Sequence, residues 1–246
     1  MRKFDDAQSV RLNINDYKKM NMSKPETYRE SLEICRNKNK KDFWKIPCVP
    51  ALFSLMDSFM SLLVTSLKDA EFEGSDDEQR YKLKLIVSFI RTHYVIDDLI
   101  CNGENIEAVT LIRKQLELLN RYKELETKSK EELEGKVPNV KFVANLASLY
   151  GSLSEIAHSS KELPLSLLGM EKVEEGRIGV NVFPVYTENL ITTMSNHITL
   201  FCCFAAEMLN FQCEFIKDWD GSEDKDILSE LIEVGKQSCI PCFEQW

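Results

Sequence analysis

Glycine and proline are scarce in this chain, and their scarcity limits the folds that it can adopt. Its 246 residues contain only 9 Gly and 7 Pro, whereas an all-β fold needs such residues at its many turns. Between these breaks, apolar residues recur with the period of a helix that buries one face. The sequence therefore predicts an all-α protein that folds as a single helical bundle of six or seven helices.

The turn-forming residues also predict where the chain is divided. Residues 1–24 are polar and without a clear period, so we expect an N-terminal arm followed by one helical-bundle domain over 25–246. Pro25 is predicted to open the first helix, and Pro138 to start the segment that carries Tyr150. Further helices are expected at about 51–72, 76–101, 103–122, 187–219 and 223–236, with a solvated helix end or loop at 123–136. Several Gly and Pro at 161–186 predict an irregular excursion over the bundle, with a short extended piece at 178–185.

Charge and hydropathy exclude several classes of protein. The formal net charge is -9, which disfavours RNA as a partner, although RNA binding is not excluded by charge alone. The N-terminal 45 residues are basic and the C-terminal 43 are acidic, so either these ends meet, within a protomer or between two, or both are solvated. Apolar runs are broken before membrane-spanning length, and the N-terminus lacks a secretory signal. We therefore expect a soluble cytoplasmic protein with no membrane partner.

The cysteines favour thiols over disulfides. Eight cysteines occur in a chain without an export signal, which is typical of reduced proteins. Cys239 and Cys242 form a CxxC motif close to the C-terminus. A redox role would need a helix beginning at this motif, and a zinc site would need a second ligand pair. We expect neither role.

Two sets of polar residues stand at helical spacing among apolar ones. Arg113 and Glu117 lie four residues apart, as do Tyr150, Ser154 and His158 in turn, so each set would share one face of its helix. A buried Arg must find hydrogen-bond acceptors, which the second helix offers. We expect the five residues to form one polar network between adjacent helices. It would serve either to fix helix register or as a reaction centre.

These residues carry a resemblance to a known group of proteins. A helix with Arg-x-x-x-Glu, a charged connector and a helix with Tyr and Leu-Ser-x-x-x-His resemble uncharacterised all-helical bacterial proteins distantly related to the HEPN superfamily. The resemblance covers about 51–219. It implies a helical bundle, dimerisation, and RNA cleavage or nucleotide binding in defence or toxin systems.

The chain departs from this family's catalytic pattern. Active HEPN ribonucleases use an Arg followed by His a few residues later on the same helix, and no Arg precedes His158 within its helix. Metal-independent RNA cleavage would therefore need Arg113 to reach His158 through space. In that arrangement His158 would act as general acid or base, and Arg113 would stabilise the phosphate in the transition state.

The remaining histidines suggest one further arrangement. His93 and Asp97 are four residues apart on a predicted helix and could share a metal ion. Helical di-metal proteins need Glu-x-x-His on two helices, and this spacing occurs once, from Glu155 to His158. We therefore expect His93 to lie at the surface or cap a helix, and we predict no metal and no cofactor. His197 is expected to be a core histidine with its hydrogen bonds satisfied.

Two functions remain after these exclusions. Phosphate-binding loops, dinucleotide-binding turns and nucleophile elbows are all missing from the sequence. The favoured prediction is a non-catalytic helical protein, dimeric or bound to a protein partner, that acts as an interaction or ligand-binding component of a bacterial defence or regulatory system. The alternative is a HEPN-like ribonuclease that uses His158 and Arg113.

Overall fold

The computed structural model describes residues 25–70, 76–140, 147–158, 171–173, 177–179, 182–187 and 189–238. These parts contain eight helices and one short hairpin. The helices are α1 (Pro25–Phe43), α2 (Val49–Asp69), α3 (Asp77–Asn102), α4 (Asn105–Glu124), α5 (Lys130–Leu133), α6 (Ala147–His158), α7 (Asn189–Phe215) and α8 (Ser222–Gln237). The strands β1 (Glu171–Val173) and β2 (Arg177–Gly179) pair antiparallel, with Lys172 opposite Ile178.

The predicted all-α bundle is confirmed, with small differences at its loops. The described residues hold one helix more than the upper prediction, because the charged stretch after α4 folds into the four-residue α5, whose Ser129 and Glu132 form a capping box. Pro138 does not open a helix, since residues 137–139 are irregular. The hairpin falls in the predicted excursion. The predicted arm at 1–24 and the pair Cys239 and Cys242 lie outside the described residues.

The core forms where α2, α3, α4 and α7 pack together. Helix α2 buries a stripe of large apolar side chains that recur at helical spacing: Leu52, Met56, Phe59, Met60 and Leu63. Helix α7 is buried along most of its length, because it lies against α2, α3, α4 and α8. Aromatic pairs connect these helices: Phe59 meets Phe201 edge to face, and the ring of Phe89 stacks on that of Phe204 at 3.8 Å between centroids.

Two of these core helices are unusually apolar. By length and composition alone, residues 49–68 of α2 and all of α7 would be able to cross a membrane. The core helices of water-soluble bundles pass the same test, so this finding is weak evidence for a membrane location. In this fold, α2 is covered by α8 and by α7.

A glycine ends α3 and turns the chain into α4. Gly103 has φ +83°, and its N–H donates to the carbonyl oxygen of Ile100 while that of Glu104 donates to Leu99. This left-handed residue lets α3 and α4 pack as an antiparallel pair. At its other end α3 is capped by Asp76, whose carboxylate accepts from the N–H of Gln79.

Asn39 connects three separate segments at this turn. Its buried amide Nδ2 donates to the carbonyl oxygens of Asn102 at 2.8 Å and Pro184 at 2.9 Å, and its Oδ1 accepts from the N–H of Tyr186 at 3.2 Å. The amide therefore joins α1, the end of α3 and the segment 182–187. It satisfies backbone groups that no regular element pairs.

Candidate functional site

Three of the five residues predicted to form a polar network meet between α4 and α6. The Arg113 guanidinium lies 2.8 Å from Glu117 Oε1 and donates to the Tyr150 hydroxyl at 2.9 Å. That hydroxyl in turn donates to Glu117 at 3.1 Å, and the guanidinium carbon lies 5.2 Å from the Tyr150 ring centroid. The side chains of Arg113 and Glu117 are 19% and 27% exposed, so water reaches the network. The guanidinium charge is balanced within it.

The other two predicted members take different places. Ser154 follows Tyr150 by one turn of α6 and is half-buried, but it does not take part in the hydrogen bonds among Arg113, Glu117 and Tyr150. His158 is the last residue of α6, and its side chain lies outside the described part of the structure. The interhelical contact thus rests on Arg113, Glu117 and Tyr150.

A second polar cluster lies inside the bundle, where α3 crosses α7. His197 Nε2 lies 2.9 Å from Asp97 Oδ1, and His93 Nε2 lies 3.4 Å from Asp97 Oδ2. The imidazole rings of His93 and His197 are 4.9 Å apart and nearly parallel, and the ring of Phe201 covers His93. One ligating atom from each of the three residues lies within 4.8 Å of the others. Two imidazoles and a carboxylate form a typical donor set for a transition metal.

This cluster is dry on the histidine side and open on the carboxylate side. The side chains of His93 and His197 are 1% and 0% exposed, whereas that of Asp97 is 21% exposed. Burial lowers the pKa of His93 to about 4, against the opposing attraction of Asp97, so this ring is neutral. The 3.4 Å contact from His93 to Asp97 lacks hydrogen-bond geometry, and neither nitrogen of His93 has a hydrogen-bond partner among the described residues.

Both histidine predictions need correction here. The expected surface or capping role of His93 is wrong, because this side chain is fully buried. His197 is a core residue as expected, but only one of its ring nitrogens is hydrogen-bonded, since its Nδ1 has no partner within the described ranges. The sequence showed the His93 and Asp97 pair by its spacing on one helix. The third member, 100 residues after Asp97, carried no local signal except its place on an apolar helix.

A basic groove runs along the outer face of α3 and α4. It encloses about 620 Å³ and is lined by Arg80, Leu83, Lys84, Val87, Ser88, Arg91, Thr92 and Lys114. Four of these side chains are cationic and none is acidic. Only Arg80 forms an ion pair within the described residues, with Asp77. We call this surface the basic groove. It would attract an anionic partner with some apolar surface.

Another cavity differs because its charges are already balanced. A cleft of about 410 Å³ lies between α1, the start of α4 and residues 182–185. Its one cation, Arg36, is 2.5 Å from Glu104 and 2.8 Å from Glu33. Hydrogen bonds to these two carboxylates raise the pKa of Arg36, so the guanidinium remains charged and occupied. Among the described residues, the cleft has no free cation for a ligand.

The outer face of α8 carries the opposite charge to the basic groove. Glu223, Asp226, Glu230 and Glu233 are all exposed and recur every three or four residues, so they share one side of the helix. The opposite side buries Leu228 and Leu231 in the core. We call this surface the acidic face. These four carboxylates belong to the C-terminal region that the sequence shows to be acidic.

Comparison of the chain with family models, curated proteins and solved structures found no match. The resemblance to HEPN-related proteins therefore stays a prediction. The features of the structure that bear on function are the basic groove, the acidic face and the two polar clusters.

Proposed function

We propose that this chain is a non-catalytic, cytoplasmic interaction protein that self-associates by placing the acidic face of one copy on the basic groove of another. The observation that carries the proposal is the groove itself. Its described lining holds four cations and no acidic residue, in a chain whose net charge is -9. Such local concentration of positive charge is typical of a surface that meets an anionic partner.

The groove has the composition of an interface for a protein helix. Leu83 and Val87 lie between its cations, and Val87 is 38% exposed. Arg80, Lys84, Val87 and Arg91 follow one another at helical spacing along α3, while Lys114 approaches from α4. An amphipathic partner would bury the apolar residues and pair with the charged ones.

The acidic face of a second copy satisfies these requirements. Its four carboxylates extend along α8 from residue 223 to residue 233, and the groove's α3 cations extend from residue 80 to residue 91, so the two rows have matching lengths of about 15–17 Å at 1.5 Å per residue. The two surfaces lie on different helices of one chain. Each copy therefore offers both halves of the contact.

The Arg113 network supports a non-catalytic role. Its guanidinium is already paired with Glu117 and hydrogen-bonded to Tyr150. To stabilise a phosphate, Arg113 would first have to break its ion pair with Glu117. A hydrogen-bonded network of three residues that joins α4 to α6 is typical of contacts that fix how two helices align along their axes. The HEPN-like ribonuclease with Arg113 and His158 is the alternative prediction.

The first experiment measures self-association by sedimentation velocity over a range of protein concentrations, at low salt and at 1 M salt. We expect the wild-type chain to associate at low salt and to dissociate at high salt, because the screening length falls from about 10 Å at 0.1 M to about 3 Å at 1 M. A wild-type chain that stays monomeric at every concentration would overturn the proposal.

A charge-exchange design then tests the partners directly. The variant Lys84→Glu/Arg91→Glu/Lys114→Glu reverses three of the four groove cations and makes the groove acidic. The variant Glu223→Lys/Asp226→Lys/Glu230→Lys reverses three of the four carboxylates and makes that face of α8 basic. Each alone should be monomeric, and an equimolar mixture should associate, since every groove then meets a face of opposite charge. Lys38→Glu changes the same charge on exposed α1 and is the matched control.

The same variants separate self-association from RNA binding. If the wild-type chain remains monomeric, and a labelled single-stranded RNA binds it but not Lys84→Glu/Arg91→Glu/Lys114→Glu, the groove is a nucleic-acid site and the proposal is wrong. Cleavage of that RNA by the wild-type chain, lost in both Arg113→Ala and His158→Ala, would establish the ribonuclease alternative.

A further inference from the structure

The buried histidines offer more ligand atoms than the protein uses. Both ring nitrogens of His93 and Nδ1 of His197 lack hydrogen-bond partners among the described residues. A neutral imidazole has one donor and one acceptor nitrogen, and burying either without a partner costs free energy. Asp97, the only carboxylate of this cluster, hydrogen-bonds to one nitrogen of His197 alone. Buried polar atoms without partners are rare in native proteins, so the unpaired nitrogens of these two histidines indicate a role other than packing.

We propose that His93, Asp97 and His197 bind one divalent transition-metal ion of the zinc class. The Asp97 carboxylate oxygens lie 2.9 Å from His197 Nε2 and 3.4 Å from His93 Nε2. A tetrahedral ion with bonds of about 2.1 Å holds its ligand atoms about 3.4 Å apart. The distance from His93 to Asp97 Oδ2 equals this spacing, whereas the distance from His197 to Asp97 Oδ1 must lengthen by about 0.5 Å when the ion binds. The planes of the two imidazole rings differ by 26°, so one ring must rotate before a nitrogen of each can point at the same ion.

The donor set determines which ions would bind. Two imidazole nitrogens and one carboxylate oxygen suit zinc, cobalt, nickel or ferrous iron, whereas calcium and magnesium prefer oxygen ligands alone. Asp97 is the only member that reaches solvent, so an ion would enter from its side, and water would complete the coordination there.

Such an ion would join two helices that are distant in sequence. His93 and Asp97 belong to α3, and His197 belongs to α7. An ion that binds the folded protein and not the unfolded one stabilises it by mass action. The site shares no residue with the basic groove or the acidic face, so this inference does not depend on self-association.

The experiment titrates chelator-treated full-length protein with zinc chloride and with cobalt chloride under reducing conditions. Calorimetry gives the stoichiometry, thermal unfolding gives the change in melting temperature, and the cobalt spectrum reports the ligands. We expect one ion per chain, a higher melting temperature with zinc, and visible cobalt bands of a site with nitrogen and oxygen ligands. Cobalt bound to cysteines would instead give intense near-ultraviolet bands from thiolate.

Two variants and one matched control locate the ion. Asp97→Asn keeps the side-chain shape, and His93→Phe replaces a buried ring by an apolar one beside Phe201. Both should weaken zinc binding by more than the roughly 10–100-fold that loss of an outer-shell partner costs. Asp98→Asn removes the neighbouring carboxylate, whose side chain is 75% exposed, and should bind zinc as the wild type does.

The binding of zinc and cobalt by these variants tests whether the ion lies at His93, Asp97 and His197. Loss of binding in Asp97→Asn and His93→Phe, with retention in Asp98→Asn, would support the site. Equal binding in all four proteins would place the ion elsewhere in the chain, and a cobalt spectrum with thiolate bands that both variants preserve would place it on cysteines. Either result would overturn the proposal. No binding by folded wild-type protein would also overturn it.

Discussion

The turn at Gly103 allows the cost of one methyl group to be calculated from the structure. Alanine there must adopt φ near +83°, which costs about 1–2 kcal/mol. Its Cβ would also lie 2.6 Å from Nδ2 of Asn39, which must then move. Asn39 would lose its two donated hydrogen bonds, to Asn102 and Pro184, at a net cost of about 1 kcal/mol each. We expect Gly103→Ala to lower the free energy of unfolding by about 3–4 kcal/mol.

A second glycine provides the control for backbone strain. Gly135 has φ +71°, and a Cβ built on it meets no atom within 4 Å. Gly135→Ala should therefore cost only the left-handed conformation, about 1–2 kcal/mol. The difference of about 2 kcal/mol between the two variants corresponds to about 30-fold in the equilibrium constant for unfolding.

A double-mutant cycle isolates the collision with Asn39. Once Asn39→Ala has removed the amide, Gly103→Ala should cost no more than Gly135→Ala, which gives a coupling of about 2 kcal/mol between positions 39 and 103. The assay is urea unfolding monitored by far-ultraviolet circular dichroism. The dependence of the unfolding free energy on urea concentration should be the same in all variants, so that their stabilities can be compared. Equal destabilisation by the two glycine variants, or a coupling below about 0.5 kcal/mol, would refute this account of the turn.

Three further predictions concern other parts of the bundle. Tyr150→Phe removes the hydroxyl that links α4 to α6 and should cost about 1–2 kcal/mol in urea unfolding, so unchanged stability would show that the network does not stabilise the fold. Exposed Cys213 should react with iodoacetamide in the native protein, whereas Cys101, whose pKa burial raises to about 12, should react only in denaturant; peptide mass spectrometry that finds equal labelling would contradict this. Arg121→Met leaves buried Glu124 without its nearest cation, and it removes the donors to the carbonyl oxygens of Leu133 at the end of α5 and of Lys136. We expect a loss of about 3 kcal/mol and faster amide exchange at 130–139 by mass spectrometry, and unaltered exchange would count against it.

Local signals explain why the helices were predictable from the sequence. The period of apolar residues along α2 and α7, and the glycine after α3, act within a few residues of the elements that they define. Pro138 is a weaker local signal. A proline suits the first turn of a helix but does not require one, and residues 137–139 are irregular here.

Contacts between helices were predictable only in part. Arg113 and Glu117 are partners by spacing alone, and their contact with Tyr150 followed because α4 and α6 are neighbours that each bury an apolar face. The meeting of His93 with His197 could not be foreseen. It depends on how α3 and α7 are rotated and where they cross, which side-chain packing along both helices decides.

The packing of α8 on α2 has a consequence for how the protein is made. About 150 residues separate the end of α2 at Asp69 from the start of α8 at Ser222, so α2 leaves the ribosome long before its cover exists. During that interval the nascent chain presents an apolar helix of membrane-spanning length to the cell. We expect newly synthesised chains to depend on chaperones that shield α2 until α8 has been translated.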